Sequence, residues 1–333
     1  MSTSVSPPVL ALDIGGTQVR GALVDAEGRV VHAERVRTPV EAGGPAIVEA
    51  GVGVLQRVRE AVDAAAGSPV GIAGIGISSA GPVDPYRGWI LDPPNLGPTY
   101  RDLPITDTVG AALGLPAFLD RDTQIAALGE GAHGVAAGLR DYLYITVSTG
   151  LGGAIVSDGR LLRGPDGTAG ELGHILIDRL TGPPCGCGAR GHLEGISSGS
   201  GIARTARAAA SSGESPLLAA LIEQHGPRFG AIHVAEAEAA GDQAAMDIMG
   251  DARDAFAQGC VVFADLFDPE LIVVGGSLAV GQGDRLLGPA REAVAALAFS
   301  APARRTRIEL AALGDDVGLV GAAVLVRERL ASG

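Results

Sequence analysis

The chain contains no lysine: all 25 of its basic residues are arginine. That absence excludes a Schiff-base mechanism and a phosphate loop built on lysine, so any nucleotide must be held by another device. Aromatic residues are scarce, at 3% against 47% hydrophobic residues overall, which predicts cores of Ala, Val, Leu and Ile on helices and strands. No run of eighteen apolar residues occurs and the leader MSTSVSPPVL has no basic residue. Neither a membrane span nor an export signal is therefore expected. The net charge of −13 argues against nucleic acid, whose phosphates need a basic face. The trio Arg304, Arg305 and Arg307 reads as a solvated rim. Only three cysteines are present, and they fit a reducing cytoplasm. At 333 residues the chain is long for one core and suits two domains.

What the sequence does have is concentrated between Gly170 and Glu194, in GELGHILIDRLTGPPCGCGARGHLE. His174, Cys185, Cys187 and His192 are donors that favour zinc, and two thiolates with two imidazoles complete a tetrahedron. Gly186, Gly188 and Gly191 predict a sharply folded backbone, because glycine tolerates positive φ. A disulfide between Cys185 and Cys187 is the alternative, but it would close a very small, strained ring. Cys260, in the apolar run CVVFADLF, reads as a buried hydrophobe.

The opening strand, Val9 to Ile14, breaks into Gly15, Gly16 and Thr17, and the run GALVDAEGRVV returns as a hairpin. Such a turn offers backbone amides and a hydroxyl to a phosphate, with Asp13 placed to hold the accompanying magnesium through water. YITVSTGLGGAIVSDG, residues 144–159, repeats the pattern with Thr149, Gly150 and Gly152, and so indicates an internal duplication. Between the hairpins the spacing predicts a helix over 45–66, a strand over 70–78, a long turn-rich segment SSAGPVDPYRGWILDPPNL and a strand over 117–119. Asp120, Arg121 and Asp122 follow at a strand-to-helix junction, where a carboxylate commonly serves as a cap. Helices are expected over 197–209, across 214–256 and over 255–267, then a buried strand 271–274 that stops at Gly275 and Gly276. A closing helix over 317–330 is expected to return to the first domain. The domains would then be 1–120 plus the helix about 317–333, smaller, and 121–316, larger.

G-E-x-G-H followed by C-x-C-G-x-x-G-x-x-E, together with DIGGTQVRGALVD, resembles the ROK family of bacterial sugar kinases and sugar-responsive repressors, over nearly the whole chain. The resemblance implies an α/β, actin-like (ribonuclease H-like) duplicated fold, two domains around a central cleft. It implies ATP-dependent phosphorylation of a hexose hydroxyl, glucose at the 6-position first, with kinases for N-acetylmannosamine, N-acetylglucosamine or fructose, or a non-catalytic sugar-binding regulator, as alternatives. Asp122 falls on the family's general base. Gly81 and Asn95 fall on its sugar-side loop, while Glu171, His174, Glu194 and Asn95 would read sugar hydroxyls. Asp13, Gly15, Gly16, Thr17, Thr149, Gly150 and Gly152 would grip the phosphates of Mg²⁺·ATP, and Gly275 and Gly276 would approach adenine and ribose. Zinc would be structural, and a homodimer or homotetramer is expected. Repressors of the family carry a helix-turn-helix ahead of the first hairpin, for which a motif starting at Asp13 leaves no room.

Several positions depart from the family pattern. His192 stands where a third cysteine is usual, which changes Cys3His to Cys2His2. Arg121 replaces an asparagine that binds sugar hydroxyls, and Gln124 replaces a second asparagine. Arg121 would favour the ionised form of Asp122 and bring the substrate a donor fork suited to carboxylate or phosphate. Alternatively it turns away and pairs with Asp120; the residues leave both open.

Overall fold

Alternation along the first strand serves two cores at once. In β1 (Val9–Ile14), Leu10, Leu12 and Ile14 enter one apolar cluster, and Val9 and Ala11 another, because successive strand residues point to opposite faces. The computed structural model describes residues 6–93 and 96–332. The chain divides into two compact units, Met1–Gly138 with Leu161–Ala169 and Ala312–Gly333, and Leu139–Arg160 with Gly170–Ala311.

In the first unit β1 pairs antiparallel with β2 (Gln18–Val24), which pairs antiparallel with β3 (Val30–Arg37). On its other side β1 runs parallel to β4 (Ile75–Ser79). A small ladder of β5 (Val83–Asp84) and β6 (Trp89–Ile90) follows, then β7 (Ala117–Arg121), giving the sheet order β3-β2-β1-β4-β7. Helices α1 (Gly44–Ala66) and α2 (Ile105–Leu113) bury Ile47, Leu55, Val58 and Val109 against one face. Both stop at a glycine in the left-handed conformation, Gly67 and Gly114, where a side chain would be strained. The other face is covered by α3 (Asp122–His133) and by the closing helix α11 (Val317–Ala331), through Ile125, Leu128, Leu319 and Leu325. A Cβ at Gly321 would lie 1.9 Å from the Ile125 carbonyl oxygen, so only glycine lets α11 lie directly on α3.

The second unit repeats this topology. β8 (Tyr142–Val147) pairs antiparallel with β9 (Leu151–Ser157), and β10 (Arg160–Leu161) lies beyond β9. β8 runs parallel to β11 (Leu271–Gly275), which runs parallel to β12 (Arg307–Leu310), giving the order β10-β9-β8-β11-β12. In each sheet the founding strand thus has an antiparallel neighbour on one side and two parallel strands on the other, the mark of a duplicated α/β fold. Helices α4 (Leu193–Ser197), α5 (Gly199–Ser211), α6 (Pro216–His225), α7 (Ala231–Ala239), α8 (Gln243–Phe267), α9 (Ser277–Gln282) and α10 (Asp284–Leu297) complete the unit. Phe256, Cys260 and Phe263 of α8 and Leu286 and Val294 of α10 pack on Leu143, Ile145, Ile272 and Val274. A satellite cluster of Ile202, Leu218, Phe229, Val234 and Met249 joins α5 to α8.

Several boundaries differ from expectation. The strand foreseen over 70–78 is confined to Ile75–Ser79, since Gly71 and Gly74 supply no side chain to a pleated face. The helix foreseen over 197–209 is α5, which starts at Gly199 and is capped by Ser198, whose hydroxyl accepts from the Gly201 amide at 3.1 Å; the short α4 that ends at Ser197 was not foreseen. Residue 255 marks no break, because α8 runs through it from Gln243 to Phe267. The two units are nearly equal in length, and the boundary foreseen at 120 falls after Gly138. Helix α3 stays with the first unit because Ile125 and Leu128 are buried against α11. No helix among the described residues is long and apolar enough to cross a membrane.

Candidate active site

Three backbone-anchored bonds fold the turn after β1. The Gly15 amide donates to the Gln18 carbonyl at 3.0 Å, the Thr38 amide to the Thr17 carbonyl at 2.9 Å, and the Thr38 hydroxyl to the Gly15 carbonyl at 2.6 Å. Gly16, Thr17 and Gln18 are left exposed at the tip. Asp13, directly before it, stands opposite Arg20 in the hairpin register. Burial holds its carboxyl above the usual range, opposed by the Ser78 hydroxyl and by the Arg20 charge. A Cβ on Gly318 would lie 2.8 Å from Asp13 Cγ, so the first turn of α11 abuts this carboxylate with the end of a helix that favours negative charge.

Asp122 is the first residue of α3 and is exposed, although the next eight residues, Thr123 to Glu130, are all buried. Its Oδ1 accepts the Thr123 amide at 2.7 Å, and the helix N-terminus favours its charged form. Arg121 is buried; its guanidinium donates to the Ala169 carbonyl at 2.7 Å, and Gln124 Nε2 reaches the same oxygen at 3.4 Å. The Arg121 side chain crosses Gly81, where a Cβ would lie 2.6 Å from its Cδ. Asp120 has no exposed surface and pairs with Arg163, Nε to Oδ2 at 2.7 Å. Burial still raises the Asp120 pKa, against the lowering charge and hydrogen bond of Arg163. Gly81 precedes Pro82 across a cis peptide bond. Asn95 lies outside the described residues.

In the second unit the turn after β8 is closed by the Ser148 amide on the Gly150 carbonyl at 2.9 Å. Its outer carbonyls are bound from α5: Gly199 donates to Ser148 at 2.8 Å and Ser200 to Thr149 at 3.0 Å. The glycine-rich start of α5 therefore braces the turn. Ser277, just past β11, bonds the Ser148 hydroxyl at 2.9 Å. Gly276 has φ 94° and a Cβ there would lie 2.5 Å from the Val147 carbonyl oxygen, so only glycine lets β11 end beside β8. Thr149, Gly150, Gly275 and Gly276 belong to these two adjacent strand ends. Gly152 does not share the turn; it lies in β9 opposite Thr146.

The segment from Gly170 folds as a short 3-10 turn at Leu172–His174 and two isolated bridges, Leu176 to His192 and Pro184 to Arg190. It brings His174, Cys185, Cys187 and His192 together with ligand atoms all within 4.8 Å of one another. His174 Nδ1 and His192 Nδ1 are 3.3 Å apart, Cys187 Sγ and His192 Nδ1 3.3 Å, and Cys185 Sγ and His174 Nδ1 3.8 Å. Tetrahedral zinc requires edges of about 3.3–3.8 Å between such atoms, given its bond lengths. Both cysteines are free of disulfide, and burial pushes the Cys185 thiol up to about 11. Gly188 and Gly191 adopt φ 91° and 73°. Gly186 does not have positive φ, so the sharp bend expected of three glycines is made by two. Glu194 links this cluster to the second turn, its Oε1 accepting from Cys185 Sγ at 3.4 Å and its Oε2 from the Leu151 amide at 3.1 Å. His174 turns its other nitrogen, Nε2, toward Glu171 Oε2 at 4.0 Å.

The ROK family model matches residues 9–329. The chain belongs to the ROK family. It is 32% identical over 320 residues to a glucokinase of Halalkalibacterium halodurans, covering 96% of this chain and 95% of that one. It is 34% identical over 318 residues to an N-acetylmannosamine kinase of Citrobacter koseri, covering 96% and 98%. A ROK family glucokinase from Streptomyces griseus, solved in complex with glucose and AMPPNP, is 33% identical with a TM-score of 0.76 and covers 96% of this chain and 99% of that one. This ROK protein is accordingly an enzyme of the sugar-kinase class with the actin-like duplicated fold.

Three side chains of this ROK protein's site escaped the sequence reading. Arg20 was legible in principle, because the length of the first turn places it across from Asp13. Ser78 and Arg163 had no local signal: one ends a buried strand, and the other lies 43 residues from the carboxylate that it pairs with.

Proposed function

We propose that this ROK protein transfers the γ-phosphoryl group of ATP to a hexose hydroxyl, with the 6-hydroxyl of glucose as its preferred acceptor. Phosphoryl transfer asks a protein mainly for positioning and charge neutralisation, with one base to take the alcohol's proton. The observation that carries the reading is Asp122: it is the exposed carboxylate opening a helix whose next eight residues are buried, held by the Thr123 amide at a helix start that favours negative charge. In the first unit Asp13, with Gly15, Gly16 and Thr17, would hold Mg²⁺ and phosphate, and Gly81, Asn95 and Arg121 would border the sugar. In the second unit Thr149, Gly150, Gly152, Gly275 and Gly276 would face the nucleotide, and Glu171, His174 and Glu194 would accept or donate to sugar hydroxyls.

The donor set of His174, Cys185, Cys187 and His192 fits structural zinc in number, type and spacing. When bound, zinc would cross-link the segment and fix the His174 ring. With Nδ1 on the metal, His174 Nε2 would carry the proton and donate to Glu171 or to a hydroxyl. Glu194 retains accepting capacity beyond the Leu151 amide, since a carboxylate has about four acceptor sites.

Glucose is favoured by the glucokinases among the relatives, at 31–35% identity. N-acetylmannosamine is the second reading, supported by relatives at 33–34%. A coupled ADP-release assay over a panel of sugars separates them, with the highest kcat/KM expected on glucose. Asp122→Asn should lower kcat by about 10²–10⁴-fold and leave glucose affinity near its starting value. Turnover retained in that variant would reject Asp122 as the base.

A further inference from the structure

Glu130 is a buried carboxylate outside the phosphoryl-transfer machinery. It lies in α3 with 0% exposure, and a carboxylate costs far more to bury than an apolar side chain. Both of its oxygens accept backbone amides: Oε2 takes Val135 at 3.0 Å, and Oε1 takes Leu313, 183 residues away in sequence, at 2.9 Å. Leu313 leads into the 3-10 turn Gly314–Asp316, from which α11 starts.

That turn holds Arg20, whose guanidinium donates to the Asp315 carbonyl and pairs with Asp316 Oδ1 at 2.5 Å. Arg20 stands opposite Asp13 across the first hairpin. Two residues beyond the turn comes Gly318, where a Cβ would lie 2.8 Å from Asp13 Cγ. An arginine and a helix start, both bordering Asp13, thus take their places from the turn that Glu130 anchors. A shift of a few tenths of an ångström in the turn would move both against the carboxylate.

We infer that Glu130 is a positioning residue for Asp13: by holding the Leu313 amide it fixes the turn 314–316, and it thereby sets the affinity for Mg²⁺·nucleotide without touching it. This rests on the reading of Asp13 as the residue serving the metal and phosphates. Gln at position 130 keeps the volume but presents an NH2 group to one of the two amides.

The test is calorimetric titration of the full-length protein with Mg²⁺·ADP and, separately, with glucose. Glu130→Gln should weaken Mg²⁺·ADP binding about tenfold, the loss expected of one charge-assisted hydrogen bond, with the glucose Kd changed by less than about twofold. Glu130→Asp, which draws the carboxylate back from the Leu313 amide, should give the same signature and tests the route if the first variant does not fold; Gly318→Ala, whose Cβ would press on Asp13 directly, is the positive control for displacement at that carboxylate. A purely structural role would lower the unfolding midpoint and leave both affinities alone, which would overturn the inference. Asp13→Asn serves as the reference. If it leaves Mg²⁺·ADP binding unchanged, the reading of Asp13 falls; if it abolishes binding while Glu130→Gln and Glu130→Asp do not weaken it, only the role of Glu130 falls.

Discussion

Replacing Asp13 by Asn should stabilise the fold while removing Mg²⁺·nucleotide binding. The carboxyl is packed against Ser78, Arg20 and the first turn of α11, and burial raises its pKa above 3.8 more than those two partners lower it. Ionising it in the fold therefore costs about 1.4 kcal/mol for each unit by which the folded pKa exceeds the unfolded one. Asn removes the charge, keeps the size and retains an oxygen for Ser78. Arg20 still has Asp316 and the Asp315 carbonyl. Because the folded pKa is the higher one, the cost is absent below pH 3.8, where both states are protonated, and grows as pH rises through the folded value. A gain of about 1 kcal/mol would raise Tm by about 2–4 °C for a unit of this size. Urea and thermal unfolding from pH 3 to 8, alongside Mg²⁺·ADP titration, measure both effects. A variant less stable than the parent at pH 7, or more stable by an amount that persists below pH 3.8, would refute the account of Asp13 as a carboxyl whose ionisation the fold opposes.

Cys185→Ser should take bound zinc from one equivalent toward none and weaken glucose binding with it; unchanged metal content by elemental analysis would remove the metal assignment. Arg163→Ala leaves the buried Asp120 carboxylate without its cation and should cost about 3–5 kcal/mol in urea unfolding. Adding Asp120→Asn should restore most of that loss, and a double variant no better than the single one would show that the pair does not act as a unit.

Asp13 and Asp122 were legible because both sit where strand gives way to glycine or helix, a change of period visible in a few consecutive residues. The metal donors were legible for the same reason, since three of the four fall within eight residues, Cys185 to His192. Arg121 was not. The choice between substrate and Asp120 depended on what else came near, and the structure brings Arg163 to Asp120 and the Ala169 carbonyl to Arg121. The short helix α4 was missed because five residues are too few to show a helical period.

The sequence by itself indicated the two hairpins, the four His and Cys side chains that come together and the carboxylate at the start of α3, because turn chemistry and periodicity are properties of neighbouring residues. Only the tertiary structure decided which of 25 chemically equal arginines meets Asp120, and that a glutamate in α3 reaches a turn 183 residues away. Such pairings follow the path by which the first unit's sheet and helices close over buried charge. No local preference distinguishes one distant partner from another.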